Sequence, residues 1–279
     1  MTRAFKEFIP IPEEVGKIMV LEKEFGPMAA QSWGKMARGL ADIIKFTFGT
    51  AALYNEDILK EKVSIYKSLG ISPMVGGTLT EVAIMNAGGY EENDLLNYLK
   101  YAKLIGFIYI EFSDGSIYIP EEKRIDIIKM CLNEGFKVIS EVGKKDPLKD
   151  AKITTEKRIE LMQKDLQSGA ELVIIEARES GKGIGVMSKE GKVQFDELDM
   201  IVDAVGLDKI MIEAPDKGQQ QEIFMYYGPK ANVGNIQPRD ILSVSALRTG
   251  LRGDTIGILR KDAWKNYHTK QKAPEDYII

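Results

Sequence analysis

The chain has 279 residues, 44% of them apolar and 29% charged, with 38 Lys plus Arg against 42 Asp plus Glu, the profile of a soluble globular protein. No apolar stretch approaches the roughly 18 uninterrupted residues of a spanning helix, and the opening Met-Thr-Arg-Ala-Phe-Lys-Glu lacks a cleavable apolar core, so membrane insertion and secretion are not expected and a cytoplasmic location is. The single cysteine, Cys131, excludes an internal disulfide and a zinc cluster, and the single histidine, His268, argues against a Ser-His-Asp triad, which leaves acid-base chemistry to lysine, carboxylates or tyrosine.

Eight short β-rich runs recur along the chain, each followed by a helical stretch: Ile18 to Leu21, Ile43 to Thr47, Ser72 to Val75, Ile108 to Phe112, Val138 to Glu141, Leu172 to Glu176, Ile210 to Glu213 and Ala231 to Asn235. Their starts are spaced about 30 residues apart, the length of a strand-helix unit in a parallel barrel. Count and spacing predict a single-domain (β/α)8 TIM barrel over residues 1–257. Asn55 caps a helix ending at Leu69-Gly70, Pro120-Glu121-Glu122 opens one ending near Gly135, and Thr154 or Thr155 starts one ending at Ser168-Gly169. Cys131, inside the apolar helical run Ile127 to Leu132, reads as a core residue. Glycine after each helix marks the lower face, so the polar residues ending each strand lie on the upper face, where such barrels keep their chemistry.

Residues 258–279 form a C-terminal extension carrying Arg260, Lys261, Lys265, His268, Lys270 and Lys272. In a chain of net charge -4, a solvated tail or a helix packed on a neighbouring subunit is favoured over a nucleic-acid site. Tyr226-Tyr227-Gly228 reads as a helix end, and no RNA-binding signature accompanies it.

The fifth, sixth and seventh runs end alike, in Glu141, Glu176 and Glu213. Three carboxylates converging on one barrel wall repel unless a cation lies between them, and hard oxygen ligands suit Mg2+; ion pairing with nearby lysines or arginines is the alternative. Val142-Gly143-Lys144-Lys145 follows Glu141 directly, placing two lysines on the loop after the fifth strand, and Lys45, inside the second strand, requires a partner or an anionic ligand. After Glu176 comes Arg178-Glu179-Ser180-Gly181-Lys182-Gly183-Ile184-Gly185, a cation with glycines whose bare amides, Gly183 and Gly185 among them, can close around an oxyanion, though the spacing is not that of a nucleotide P-loop. Asn235 ends the eighth strand, and Arg252 follows the next helix; cations and glycines in this quadrant suit a phosphate-bearing substrate. Ser113-Asp114-Gly115-Ser116 reads as an ordinary turn before it reads as a base or ligand.

These motifs carry a resemblance. From about Val15 to Gly257 the chain resembles phosphosulfolactate synthase, through Lys45-Phe46-Thr47-Phe48-Gly49-Thr50, Gly76-Gly77-Thr78-Leu79, Ser113-Asp114-Gly115-Ser116, Glu141-Val142-Gly143-Lys144-Lys145, Arg178 to Gly185, Glu213-Ala214-Pro215 and Leu251-Arg252-Gly253-Asp254-Thr255. The resemblance implies a carbon-sulfur lyase of coenzyme M biosynthesis: a Mg2+-dependent addition of sulfite to phosphoenolpyruvate on a TIM barrel, in a homo-oligomer, with no nucleic-acid or membrane partner. It implies Lys145 as general acid, with Lys144 the alternative, and clustered cations are expected to lower the lysine pKa. It also places Lys23 with Lys45, Arg178, Gly183, Gly185, Asn235 and Arg252 as substrate-binding residues.

The chain departs from the family pattern at three upper-face positions. The usual Asp-Lys-Gly is Glu22-Lys23-Glu24, the usual Gly-Trp-Gly-Thr-Ser is Thr47-Phe48-Gly49-Thr50-Ala51, and Ile117-Tyr118 replaces a common Ser-Asp pair. A change of nucleophile or of enol phosphate is therefore a competing expectation, with Glu22, Thr47, Phe48 and Ala51 near the incoming nucleophile. A non-catalytic barrel like the plant heat-stress-associated proteins is a third, against which stands the retention of Glu141, Lys145, Glu176, Arg178 and Glu213.

Overall fold

The computed structural model describes residues 4–5, 7–9, 11–87, 92–177 and 179–271. Eight parallel strands close into a barrel in sequential order, β1 (Ile18–Glu22), β2 (Ile43–Phe46), β3 (Ser72–Val75), β4 (Tyr109–Phe112), β5 (Lys137–Val142), β6 (Leu172–Ile175), β7 (Ile210–Glu213) and β8 (Asn232–Ile236), with β8 pairing back onto β1. This is the expected (β/α)8 barrel, its strand ends displaced by at most two residues from the runs read in the sequence. Among the described residues, no helix is long and apolar enough to cross a membrane.

Alternation along each strand sorts its side chains between two cores. Met19, Ile43, Met74, Tyr109, Ile139, Leu172, Ile174 and Met211 fill the barrel interior. Their strand neighbours, such as Val20, Ile44, Ile110, Val138, Val173 and Ile212, pack outward against the helices. Two residues beyond the interior set, the same parity aims Lys45, Glu111, Glu141, Glu176 and Glu213 into the upper mouth, and all five are buried.

The helices follow the expected signals. Asn55 precedes Glu56–Ser68, whose first turn carries Glu56 and Asp57 on the positive end of the helix dipole. Thr154, not Thr155, caps Thr155–Gln167 by accepting from the Lys157 amide at 3.2 Å. Cys131 is fully buried in Glu121–Asn133, its thiol pushed up to about 12 by burial, an inert core residue. Tyr227 ends the helix Lys217–Tyr227.

The C-terminal segment forms helices Ile256–Leu259 and Lys261–Lys270. It is tied to the barrel by Thr255 Oγ1 donating to the Leu247 carbonyl (2.9 Å) and Arg260 Nε to that of Gly250 (3.1 Å). His268 is buried against Trp264 and hydrogen-bonded to its carbonyl at 2.8 Å, a packing role.

The seam between β1 and β8 is irregular, and it is closed below by side chains: Asn232 Oδ1 accepts from the Lys17 amide (2.7 Å), Asp42 from the Ile18 amide (2.8 Å), and Arg248 donates to the Gly16 carbonyl (2.6 Å). Gly16 is pressed so closely on the last strand that an added Cβ would lie 2.1 Å from the Ala231 carbonyl oxygen. Gly16→Ala is therefore expected to part this seam and cost about 1–3 kcal/mol in chemical denaturation, whereas Gly26→Ala, with open space around it, should cost less.

Candidate active site

The upper mouth of the barrel is a cleft of about 720 Å³, lined by Lys45, Thr47, Phe48, Glu111, Glu176, Glu213 and Asn235 at the strand ends, Gly77 and Thr78 at the start of a helix, and Ser116, Lys145, Glu179 and Ser180 on the loops. Its floor is a charge lattice. Lys45 Nζ lies 2.7 Å from Glu111 and 3.4 Å from Glu213; Lys145 Nζ lies 2.9 Å from Glu141 Oε1 and also contacts Glu176. Glu213 is further held by the Ala177 amide at 2.9 Å. Each lysine thus stands between two carboxylates, the ion-paired arrangement that the sequence left open beside a metal.

The electrostatics follow from four buried carboxylates facing two ammonium groups. Burial, opposed by Lys45, lifts Glu111 up to about 7. Burial likewise disfavours ionised Glu141, but Lys145 and Lys45 outweigh it and bring this carboxyl down to about 2. Glu176 is raised well above the carboxylate range by its burial and by the neighbouring Glu141 and Glu213, against the pull of Lys145. Burial works against the charge of Lys145, yet the surrounding carboxylates dominate and hold its pKa well above the ordinary lysine value. That reverses the lowering expected from clustered cations, because the groups nearest Lys145 are carboxylates.

The same carboxylates fit a hard divalent cation. Glu141, Glu176 and Glu213 each offer an oxygen, and these three atoms lie within 4.8 Å of one another. Glu141 Oε2 is buried without a nitrogen donor, and once all four carboxyls are ionised they exceed the two lysines by two negative charges, which one divalent cation balances.

The two candidate lysines separate cleanly. Lys145 reaches into the cleft, its stem packed beside Gly115. Lys144 turns away, donating to the Asp114 carbonyl (2.8 Å) and carboxylate (2.6 Å). Asp114 also pairs with Arg124 at 2.7 Å, and Glu81 accepts from the Gly115 and Ser116 amides at 2.9 and 3.0 Å, so this segment is the expected turn, held from below.

Other expected binding residues are redistributed. Lys23 sits at the rim, paired with Glu179 and 5.8 Å over the Phe48 ring. Asn235 lines the cleft in a left-handed conformation, φ 56°. Gly183 donates to the Ser188 carbonyl and Gly185 to the Asp150 carboxylate, both at 2.9 Å, so both amides are taken by protein partners and neither faces a substrate oxyanion in the cleft. Arg252 is outside the cleft lining, bound to Ser243 Oγ at 2.7 Å and Asp254 at 3.1 Å. Arg178 lies outside the described residues.

Sequence reading missed Glu111, and it missed Gly77 and Thr78, which open the helix Gly77–Asn86 at the cleft and aim its positive end there. The signal for Glu111 was present: it lies two positions after the inward Tyr109.

Residues 7–254 match the profile of the (2R)-phospho-3-sulfolactate synthase (ComA) family. The chain belongs to that family. It is 40% identical over 246 residues to phosphosulfolactate synthase of Methanothermobacter thermautotrophicus, covering 88% of this chain and 93% of the relative. With the phosphosulfolactate synthase of Methanocaldococcus jannaschii it shares 41% identity over 251 residues, covering 90% and 98%. Among solved structures, a phosphonopyruvate hydrolase complex with oxalate and Mg++ superposes with a TM-score of 0.53 at 13% identity, over 91% of this chain and 93% of that one, a likeness of fold.

The structure also divides the four residues expected near the incoming nucleophile. Thr47 and Phe48 line the cleft, and Phe48 adopts a left-handed backbone, φ 55°, uncommon for a bulky side chain. Ala51 is buried in the outer core. Glu22 has the outward parity of Val20 and points between helices: Oε2 accepts from Tyr66 (2.5 Å) and pairs with fully buried Lys62 (3.1 Å), while Oε1 accepts the Glu24 and Phe25 amides (3.0 and 3.2 Å). The expectation that Glu22 and Ala51 meet a nucleophile is thereby corrected. Glu22→Asp should lose part of this four-point contact and about 1–3 kcal/mol of stability, leaving substrate preference unchanged; equilibrium denaturation and competition assays on the same variant check both halves.

The raised carboxyls also set a pH dependence in chelator-treated protein. Between 4.5 and about 7, folded Glu111 keeps a proton that the unfolded chain has released, so stability falls as pH rises through that window. Glu141 acts in the opposite sense, its contribution lost as pH falls from 4.5 towards about 2. Thermal melts in EDTA are expected to show a decline in Tm over about two pH units, from about 5 to about 7, that becomes shallower in Glu111→Gln.

Proposed function

We propose that this chain catalyses the Mg2+-dependent addition of sulfite to phosphoenolpyruvate, giving (2R)-phospho-3-sulfolactate. The observation that carries the reading is Lys145 in the cleft, its ammonium between Glu141 and Glu176, in a chain of this family. Glu141, Glu176 and Glu213 would hold Mg2+, whose charge, when bound, favours the substrate carboxylate and the negative charge that develops beside it.

The reaction forms one carbon-sulfur bond. The sulfur lone pair attacks the methylene carbon, the double-bond electrons move to the phosphate-bearing carbon, and that carbon takes a proton. Lys145 supplies the proton. Before it can do so it must leave the carboxylates that hold it, which is why its acidity depends on what else engages Glu141 and Glu176. Lys45 stays charged, since Glu111 and Glu213 outweigh its burial, and serves as a fixed cation for the substrate carboxylate. The first turn of Gly77–Asn86, Ser180 and Asn235 present donors to the phosphate.

A second reading, addition of a different nucleophile, is favoured by one observation: Thr47 and Phe48 replace the family's usual residues inside the cleft.

Incubation with phosphoenolpyruvate, sulfite and Mg2+, with the product identified by mass, tests the reading; no sulfite-dependent loss of phosphoenolpyruvate would defeat it. Lys145→Ala should lower kcat about 100- to 10,000-fold, the usual range for a general acid, with KM for phosphoenolpyruvate little changed. Lys145→Arg should fail as well, because guanidinium does not release its proton. Equal losses in kcat and in substrate affinity would make Lys145 a clamp and not a donor.

A further inference from the structure

Behind the cleft, Asp150 joins two loops that the reaction needs in register. Oδ1 accepts from the Lys144 amide at 2.8 Å, and Oδ2 accepts from the Gly185 amide at 2.9 Å. The first amide belongs to the residue before Lys145. The second belongs to a glycine packed so tightly that an added Cβ would lie 2.1 Å from the Glu176 carbonyl oxygen. One carboxylate therefore fixes the backbone beside the cleft lysine and the backbone beside the carboxylate that this lysine touches.

The clamp is itself braced. Arg158 Nη2 donates to Asp150 Oδ2 at 3.2 Å and Nη1 to the Val142 carbonyl at 3.1 Å. Both side chains are buried, Asp150 at 4% exposure and Arg158 at 2%. Asp150 ends the one-turn helix Pro147–Asp150, which Asp146 caps by accepting from the Leu148 amide. At Gly143 an added Cβ would lie 2.8 Å from the Glu176 Cβ and 3.3 Å from Asp150 Oδ1, so the β5 loop, Glu176 and Asp150 are in direct apposition.

We infer that Asp150 is a positioning residue that sets the Lys145–Glu176 relation from outside the cleft. The consequence for catalysis rests on Lys145 being the proton donor, as proposed above. An isosteric amide cannot serve both loops: with one acceptor oxygen and one NH2 group, Asn at this position leaves either the Lys144 or the Gly185 amide facing a donor. Misplacing a donor by an ångström or so costs on the order of a hundredfold in rate, without need to change substrate affinity.

Asp150→Asn in the full chain tests this by two readouts. The first needs no substrate: brief acetylation by acetic anhydride, with modification of Lys145 counted by mass spectrometry against exposed Lys209. Freed from its carboxylates, Lys145 should be acetylated several-fold faster than in the parent, with circular dichroism unchanged. The second is a fall in kcat of about tenfold or more, with KM for phosphoenolpyruvate held. Unchanged Lys145 acetylation in the folded variant overturns the inference. Faster acetylation in a protein whose parent does not consume phosphoenolpyruvate with sulfite leaves the positioning role standing and removes the proposed reaction instead. If Asp150→Asn does not fold, Arg158→Lys takes its place, since an ammonium cannot bridge Val142 and Asp150 as the guanidinium does; it should raise Lys145 acetylation to a smaller extent, and no rise there also overturns the inference.

Discussion

Two ammonium groups make the mouth of this barrel possible. Glu111, Glu141, Glu176 and Glu213 are all buried at the upper ends of adjacent strands, and isolated carboxylates there would be prohibitively costly. Lys45 and Lys145 each bridge two of them. The strand alternation that fills the lower barrel with methionine, isoleucine and tyrosine continues upward into this lattice without any change of backbone course. A packed floor, a charged layer and an open cleft thus follow from one periodicity with a change of residue type.

Charge is also buried behind the strands, and there it has a different job. Glu22 with Lys62, Arg124 with Asp165 and Asp114, and Arg158 with Asp150 are ion pairs with backbone groups among their partners. Pairs of this kind add little net stability, but removing one partner leaves the other stranded, so they hold a geometry firmly. Arg124, through Asp114, also holds Lys144 away from the cleft. The lysine in the cleft and its neighbour outside it are told apart by this second layer, which supports the first.

A polar cleft floor with more carboxylates than cations is poorly matched to an apolar ligand. Phe48, held in a left-handed conformation at the rim beneath Lys23, is the largest side chain there that departs from the family pattern. A left-handed backbone at a bulky residue is a local strain that the surrounding structure must hold in place.

How much of this was legible in the chain follows from which forces are local. Eight β-rich runs, their spacing and the helix boundaries could be read because hydrophobic alternation and capping act within a few residues. Glu141, Glu176 and Glu213 were legible because three strands end alike. Parity would also have shown Glu111 facing inward with Tyr109 and Glu22 facing outward with Val20; Glu22 was misplaced by treating strand ends as uniformly directed towards the mouth, and Glu111 was missed because it lies one residue before its strand's end. What no local pattern could decide is the choice between Lys144 and Lys145, and the engagement of the Gly185 amide by Asp150. Each depends on a partner distant in sequence, Asp114 or Asp150, that only closure of the barrel brings within hydrogen-bonding reach.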